Sequence, residues 1–215
     1  MKKIGLAGIV VVFVLTLMMS VSYAEPAKGK KMMKMSQSAV TLKMDMRKLW
    51  EEHNTWTSIY IMSAVAGLDD SGKIAERLLK NQTDIGNAIR PIYGDAAGDK
   101  LAALLKDHIL QAAELVGAAK AGDNAKATEV EKKWYANADE IVALLNGANP
   151  NWPKDALKAL FYAHLAMVKQ EAVSRLSKDG AGYITARDNG NEHILKIADA
   201  LSSGIIKQFP KKFEK

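Results

Sequence analysis

Histidine recurs along this 215-residue chain at a nearly fixed interval. His53, His108 and His164, the first series, are separated by 55 and 56 residues. A second series follows at intervals of 56 residues and comprises Asn81, Asn137 and His193. The apolar residues around both series match as well, and each histidine of the first series is preceded, four residues earlier, by a leucine: Leu49, Leu104 and Leu160. Repetition at such a period is typical of a supersecondary unit present in several copies, here three.

Between the turns, apolar residues fall at the spacing of amphipathic helices, and strand signals are absent. The sequence therefore predicts an all-α fold, a six-helix bundle built from three pseudo-repeated αα-hairpins with a period of about 56 residues. Each hairpin would place one residue of the first series opposite one of the second. His108 and Asn137 lie at similar distances from the turn at Gly122, so we expect them to face each other.

Four signals fix details of these helices. Ser71 is suited to cap the second helix, and Pro91 should end it, because proline supplies no amide hydrogen bond. Pro153 is suited to the first position of the fifth helix. Ile184 is predicted to line the core side of the sixth.

The ends of the chain differ from its middle. Residues 1–24 have the charged start, apolar run and small residues of a secretory signal peptide, which predicts an exported protein of the cell envelope, periplasm or extracellular space. Residues 25–39 read as a disordered, basic lead-in rich in Met and Lys, residues 40–208 as the helical bundle, and residues 209–215 as a basic tail. Cysteine is absent, so packing rather than disulfides must stabilise the fold.

The excess of positive over negative charge belongs to these two tails. Residues 45–208 carry 20 Lys and Arg against 22 Asp and Glu, whereas residues 25–44 carry five Lys against one Glu. A nucleic-acid-binding domain would carry a basic stripe on its folded part, so we do not expect that partner. Basic tails on an exported protein favour anionic lipid or cell-wall polymer as partners, while plain solubility is the alternative.

The polar layer formed by the two series has two interpretations. In the first, imidazoles and amides satisfy one another inside the bundle and fix the register of the helices. In the second, the histidines are metal ligands, one from each helix, and Cu or Zn fits imidazole best. The four candidate ligands are His53, His108, His164 and His193, with Asn81 and Asn137 completing the layer.

The local sequence limits the metal interpretation. A di-iron carboxylate site needs Glu three residues before each ligand His, and Trp50, Leu105, Phe161 and Gly190 stand there. Iron is therefore a weaker candidate, as is a b-type haem between His164 and His193. The carboxylates next to the histidines (Glu52, Asp107 and Glu192) are predicted to face solvent. Methionines after the signal, Met32, Met33 and Met35, offer a separate possibility of Cu(I) binding.

An enzymatic function has little support in the sequence. Residues 67–73 match the spacing of a phosphate-binding loop, but Ile74 replaces the hydroxyl that would hold magnesium. An enzyme using histidine as acid or base remains an alternative, and a non-enzymatic binding or structural protein is favoured.

Three segments carry a resemblance: residues 87–94, residues 134–141 and Asn149-Pro150-Asn151-Trp152. They resemble a family of exported bacterial all-helical proteins, and the likeness spans about residues 49–213. The resemblance implies a single domain and adds no catalytic residue.

Overall fold

The computed structural model describes residues 35–214, which form an all-helical bundle without strands. The six helices are α1 (Gln37–Ala66), α2 (Ser71–Tyr93), α3 (Asp95–Ala121), α4 (Asn124–Ala148), α5 (Lys154–Leu176) and α6 (Gly180–Gln208), and a short 3₁₀ helix spans Pro210–Phe213. The predicted all-α bundle of six helices is confirmed. The predicted signal peptide and most of the basic lead-in lie outside the described residues.

Consecutive helices pack against each other, and α6 closes the ring by packing against α1. In addition, α1 contacts α3 and α5, so the first helix of each pair reaches the interior. Large apolar side chains from all six helices fill this interior, among them Trp50, Ile85, Leu105, Trp134, Phe161 and Ile197. Among the described residues, no helix has the length and apolar content that crossing a membrane requires.

The turns explain where the helices end. Gly67 and Gly122 adopt φ of 73°, the left-handed conformation that lets a helix stop and its last carbonyls pair. Asp123 and Asp179 are the N-caps of α4 and α6. Their side chains accept hydrogen bonds from the backbone amides three residues later, at Lys126 and Gly182. Residues 67–70 form the turn between α1 and α2, and residues 71–73 already belong to α2, so this segment is not a phosphate-binding loop after a strand.

Helices α2 and α3 approach each other closely through glycine. A Cβ atom added at Gly86 would lie 2.7 Å from the backbone oxygen of Gly98, and one added at Gly98 would lie 2.9 Å from the oxygen of Gly86. Such distances are too short for a side chain, so the crossing requires both glycines.

Several sequence predictions about these helices were wrong. Pro91 does not end α2, which continues to Tyr93, because a proline in the last turn removes only one amide bond. Asp70 rather than Ser71 stands at the N-cap of α2, and Pro153 stands at the N-cap of α5 instead of its first position. Ile184 is 61% exposed, since it lies near the start of α6 and away from the core.

Both ends of the described chain meet on one side of the bundle. Helix α1 begins at Gln37, earlier than predicted, with Ser36 as its N-cap. The Ser36 hydroxyl also donates to the backbone carbonyl of Phe213 in the 3₁₀ helix. Phe209 and Phe213 pack against the core, which holds this C-terminal segment on the bundle.

Candidate functional site: a buried histidine layer

Three histidines from three different helices lie side by side inside the bundle. The ring centroid of His164 on α5 is 5.7 Å from that of His53 on α1 and 6.3 Å from that of His108 on α3. All three side chains are buried. The structure therefore brings the whole first series together.

The second series ties each helix to its neighbour through a backbone carbonyl. Asn81 Nδ2 donates to Leu49 O at 2.9 Å, and Asn137 Nδ2 donates to Leu104 O at 3.0 Å. His193 Nε2 donates to Leu160 O at 2.8 Å. Each acceptor is the leucine four residues before a histidine of the first series, so one kind of bond recurs at three matching positions.

Asn137 also determines the tautomer of His108. His108 Nδ1 lies 2.9 Å from Asn137 Oδ1. Because the amide nitrogen of Asn137 already donates to Leu104, its oxygen must accept, and His108 Nδ1 must carry the proton. In a neutral ring this leaves Nε2 of His108 as the acceptor.

The first pair is less well satisfied. His53 Nδ1 and Asn81 Oδ1 are both buried and without a hydrogen-bond partner. They are the counterparts of the two atoms that join His108 to Asn137. In the third pair, His193 bonds to the backbone at Leu160 instead of to the His164 ring.

Burial keeps these imidazoles neutral. Removal from water lowers the pKa of His53 to about 4, although the nearby Asn81 side chain raises this pKa by a smaller amount. Burial, with the neighbouring His53, lowers the pKa of His108 to about 3. The pKa of His164 also lies well below its ordinary value, first through burial and then through the three other histidines. None of these three rings carries charge at neutral pH.

A small cavity lies among the three rings. His53, His108 and His164 line it together with Tyr60, Trp134 and aliphatic side chains. It offers about 20 Å³ for the centre of a water molecule, slightly more than the roughly 10–15 Å³ that one water requires. His193 does not line this cavity.

The arrangement does not fit a preformed metal centre. Over residues 35–214, no group of three or more His, Cys, Asp and Glu side chains is arranged to hold a metal ion. The ring planes of His108 and His164 differ by only 21°, so the rings stack instead of pointing at a common centre. Zinc would need ligand nitrogens at about 2.0–2.1 Å from one point.

The carboxylates next to the histidines lie outside the layer. Glu52 forms an ion pair with Arg77 at 2.9 Å, and Asp107 and Glu192 are exposed. Met35 is 44% exposed, and Met32 and Met33 lie outside the described residues. The structure thus brings together three histidines and leaves the carboxylates outside the layer.

A further buried polar residue, Glu171, was not predicted from the sequence. Glu171 on α5 is 2% exposed, and its Oε1 has no hydrogen-bond partner. Burial raises the pKa of Glu171, while Ser58, Arg187 and Tyr183 act in the opposite direction. A signal existed, because Glu171 lies seven residues after His164 and hence on the same face of α5.

No protein-family model, curated protein or solved structure matches this chain. The interpretation of the histidine layer therefore rests on its own geometry.

Proposed function

We propose that this is a non-enzymatic helical-bundle protein of the cell envelope, and that its buried His/Asn layer fixes the packing of the helices. The observation that carries the proposal is the recurring bond from Asn81, Asn137 and His193 to a leucine carbonyl of the neighbouring helix. Each bond pairs a side-chain N–H group inside the bundle and favours one register between two helices, because a shift by one residue would break it.

The electrostatics of the layer argue against acid–base catalysis. A general acid or base works best when its pKa lies near the operating pH. The pKa values of His53 and His108, about 4 and about 3, are far below neutral. The cavity that these rings line has room for about one water and not for a substrate.

A metal site is the second candidate, and one observation favours it. Asn137 holds the proton on Nδ1 of His108 and leaves Nε2 as the free acceptor. Metal-ligating histidines are commonly oriented in this way, by a hydrogen bond from the ring nitrogen that does not bind the metal. A metal would nevertheless require the rings of His108 and His164 to turn out of their stacked arrangement.

Metal analysis separates the two candidates. The mature protein, purified without a histidine tag, is assayed for metals and then melted with and without Zn, Cu and Fe salts. The structural role predicts no stoichiometric metal and an unchanged melting temperature. A bound metal would stabilise the fold by about 2.7 kcal/mol at a hundredfold excess over Kd. This gain should disappear in His164→Ala and persist in His193→Asn, which lies outside the cavity.

Location in the envelope rests on the two basic tails. Four lysines at positions 28, 30, 31 and 34 directly precede Ser36, which bonds to Phe213 beside Lys211 and Lys212. Lys211 and Lys212 thus lie near the start of α1, and the basic charge of both tails is suited to attract anionic lipid or wall polymer.

Vesicle sedimentation tests this attachment. We expect the mature protein to pellet with phosphatidylglycerol-containing vesicles at low salt and to stay in solution with pure phosphatidylcholine vesicles. Replacing the four lysines of residues 28–34 by Gln should weaken pelleting without changing the melting temperature. If the pelleted fraction is unchanged both by the substitutions and by added salt, the result contradicts the proposal.

A further inference from the structure

An apolar cleft opens between α3, α4 and α5, next to the histidine cavity. It offers about 200 Å³ for the centre of a water-sized sphere, ten times the space among the histidines. Aliphatic side chains form most of its wall: Ala112, Leu115, Val116, Ala119, Ala127, Val168, Ala172, Val173 and Leu176. Val173 is 47% exposed, which places the cleft within reach of solvent.

The cleft and the cavity adjoin. Ala112, Val116, Trp134 and Val168 line both of them. The inner end of the apolar cleft therefore lies against the histidine layer, and only small or aliphatic side chains and one indole separate the two spaces.

Small residues create the space. Ala119 and Ala127 lie 56 residues before Arg175 and Tyr183, which stand at the matching positions of the third hairpin. There the Arg175 guanidinium covers the Tyr183 ring at 5.1 Å, and Glu171 replaces Leu115. Large polar side chains thus occupy the third hairpin where alanines leave the second one open.

Trp134, which lines both the cleft and the histidine cavity, carries a polar group without a partner. Trp134 is 1% exposed, and its indole Nε1 is buried without a hydrogen-bond partner. Indole nitrogen only donates, so the group it needs is an acceptor. An unpaired buried donor destabilises the fold, and an acceptor that reaches this nitrogen from the cleft would remove that penalty.

The charges around the cleft disfavour an ionic ligand. Lys169, the cation on its wall, is paired with Glu131 at 2.6 Å. The imidazoles behind the wall are neutral at pH 7 because burial lowers their pKa values. A buried anion would find no counter-charge here and would lose its hydration.

We propose that this cleft binds a neutral, mostly apolar small molecule that presents one carbonyl-type oxygen to Trp134 Nε1. The apolar body fills the space between α3, α4 and α5, as in most small-molecule sites, and the single polar contact fixes its orientation. This inference is independent of the role of the histidine layer in packing.

Benzophenone and diphenylmethane are suitable probes, because they have similar shape and differ in the carbonyl group. Titration calorimetry and tryptophan fluorescence on the mature protein should show one saturable site. We expect benzophenone to bind roughly 2- to 10-fold more tightly, the ratio that one net hydrogen bond provides.

Three variants test the location and the contact. Ala172→Leu fills the cleft and should abolish binding of both probes, whereas Ala136→Leu at an exposed site of α4 should leave it unchanged. Trp134→Phe should bind diphenylmethane with unchanged affinity and should lose the preference for benzophenone. Thermal melts of each variant confirm that it is folded. Absence of saturable binding, binding that survives Ala172→Leu, or equal affinity for the two probes in the unaltered protein would overturn the proposal.

Discussion

Removing one partner of the His108–Asn137 pair should cost more stability than removing both. Asn137→Leu keeps a side chain of similar size but leaves His108 Nδ1 without its acceptor at 2.9 Å. The other lost bond, to Leu104 O, matters less because that carbonyl also accepts the helical bond within α3. A buried unpaired donor costs about 1–3 kcal/mol, so we expect a loss of this size.

A double-mutant cycle measures the effect. The free energy of unfolding is obtained from urea titrations followed by circular dichroism for the unaltered protein, Asn137→Leu, His108→Leu and the double variant. Because the double variant leaves neither partner unpaired, it should be more stable than the sum of the single changes predicts, by about 0.5–3 kcal/mol.

Asn189→Leu serves as the control, since Asn189 is exposed on α6. It should change stability by less than about 0.5 kcal/mol. Additive single changes, or an Asn137→Leu cost as small as that of the control, would refute the structural role of this pair.

Three further predictions follow from the same features. Mild acid should destabilise the protein. In the unfolded chain, histidines take up protons below their ordinary pKa of about 6.5, whereas folded His53 and His108 do so only near pH 4 and pH 3. The free energy of unfolding should therefore fall between pH 6.5 and pH 4, by up to about 1.4 kcal/mol per pH unit for each ring. Urea titrations across this range check it, and a flat profile would contradict it. Burial raises the pKa of Glu171, so ionisation destabilises the fold as pH rises above the ordinary glutamate pKa of about 4.3. Glu171→Gln should therefore raise the melting temperature more at pH 8 than at pH 5. Gly117→Ala, with open space around it, should stabilise α3 by up to about 1 kcal/mol, whereas Gly86→Ala should destabilise the protein by forcing α2 from α3.

The sequence predicted the helices well because their signals are local. Apolar spacing within each segment and the glycines at residues 67 and 122 determine most of the boundaries that the structure shows. Errors arose where the position of a residue in the bundle decides whether it is buried. Ile184 has the spacing of a core residue and yet is exposed. The repeat of the two series also identified the residues that meet in the interior, although the repeat itself stays a prediction.

The chemistry of the site was harder to predict. His193 bonds to a backbone carbonyl, whereas the other three histidines line a common cavity. Spacing alone could not predict this difference, because a histidine at position 193 is compatible with either role. The apolar cleft and the burial of Glu171 depend on how three helices meet, and no single helix carries that information.

The protonation state of His108 tests the account most directly. Long-range ¹H–¹⁵N NMR spectra distinguish the two neutral tautomers from the charged ring and from a metal-bound ring. In the protein as purified, without added metal, we predict that His108 is neutral with its proton on Nδ1 and stays so from pH 7 to pH 5. Burial lowers its pKa to about 3, and Asn137 accepts the hydrogen bond from Nδ1. A charged ring at pH 7, a proton on Nε2, or a metal on either nitrogen would contradict the structural role proposed for the layer.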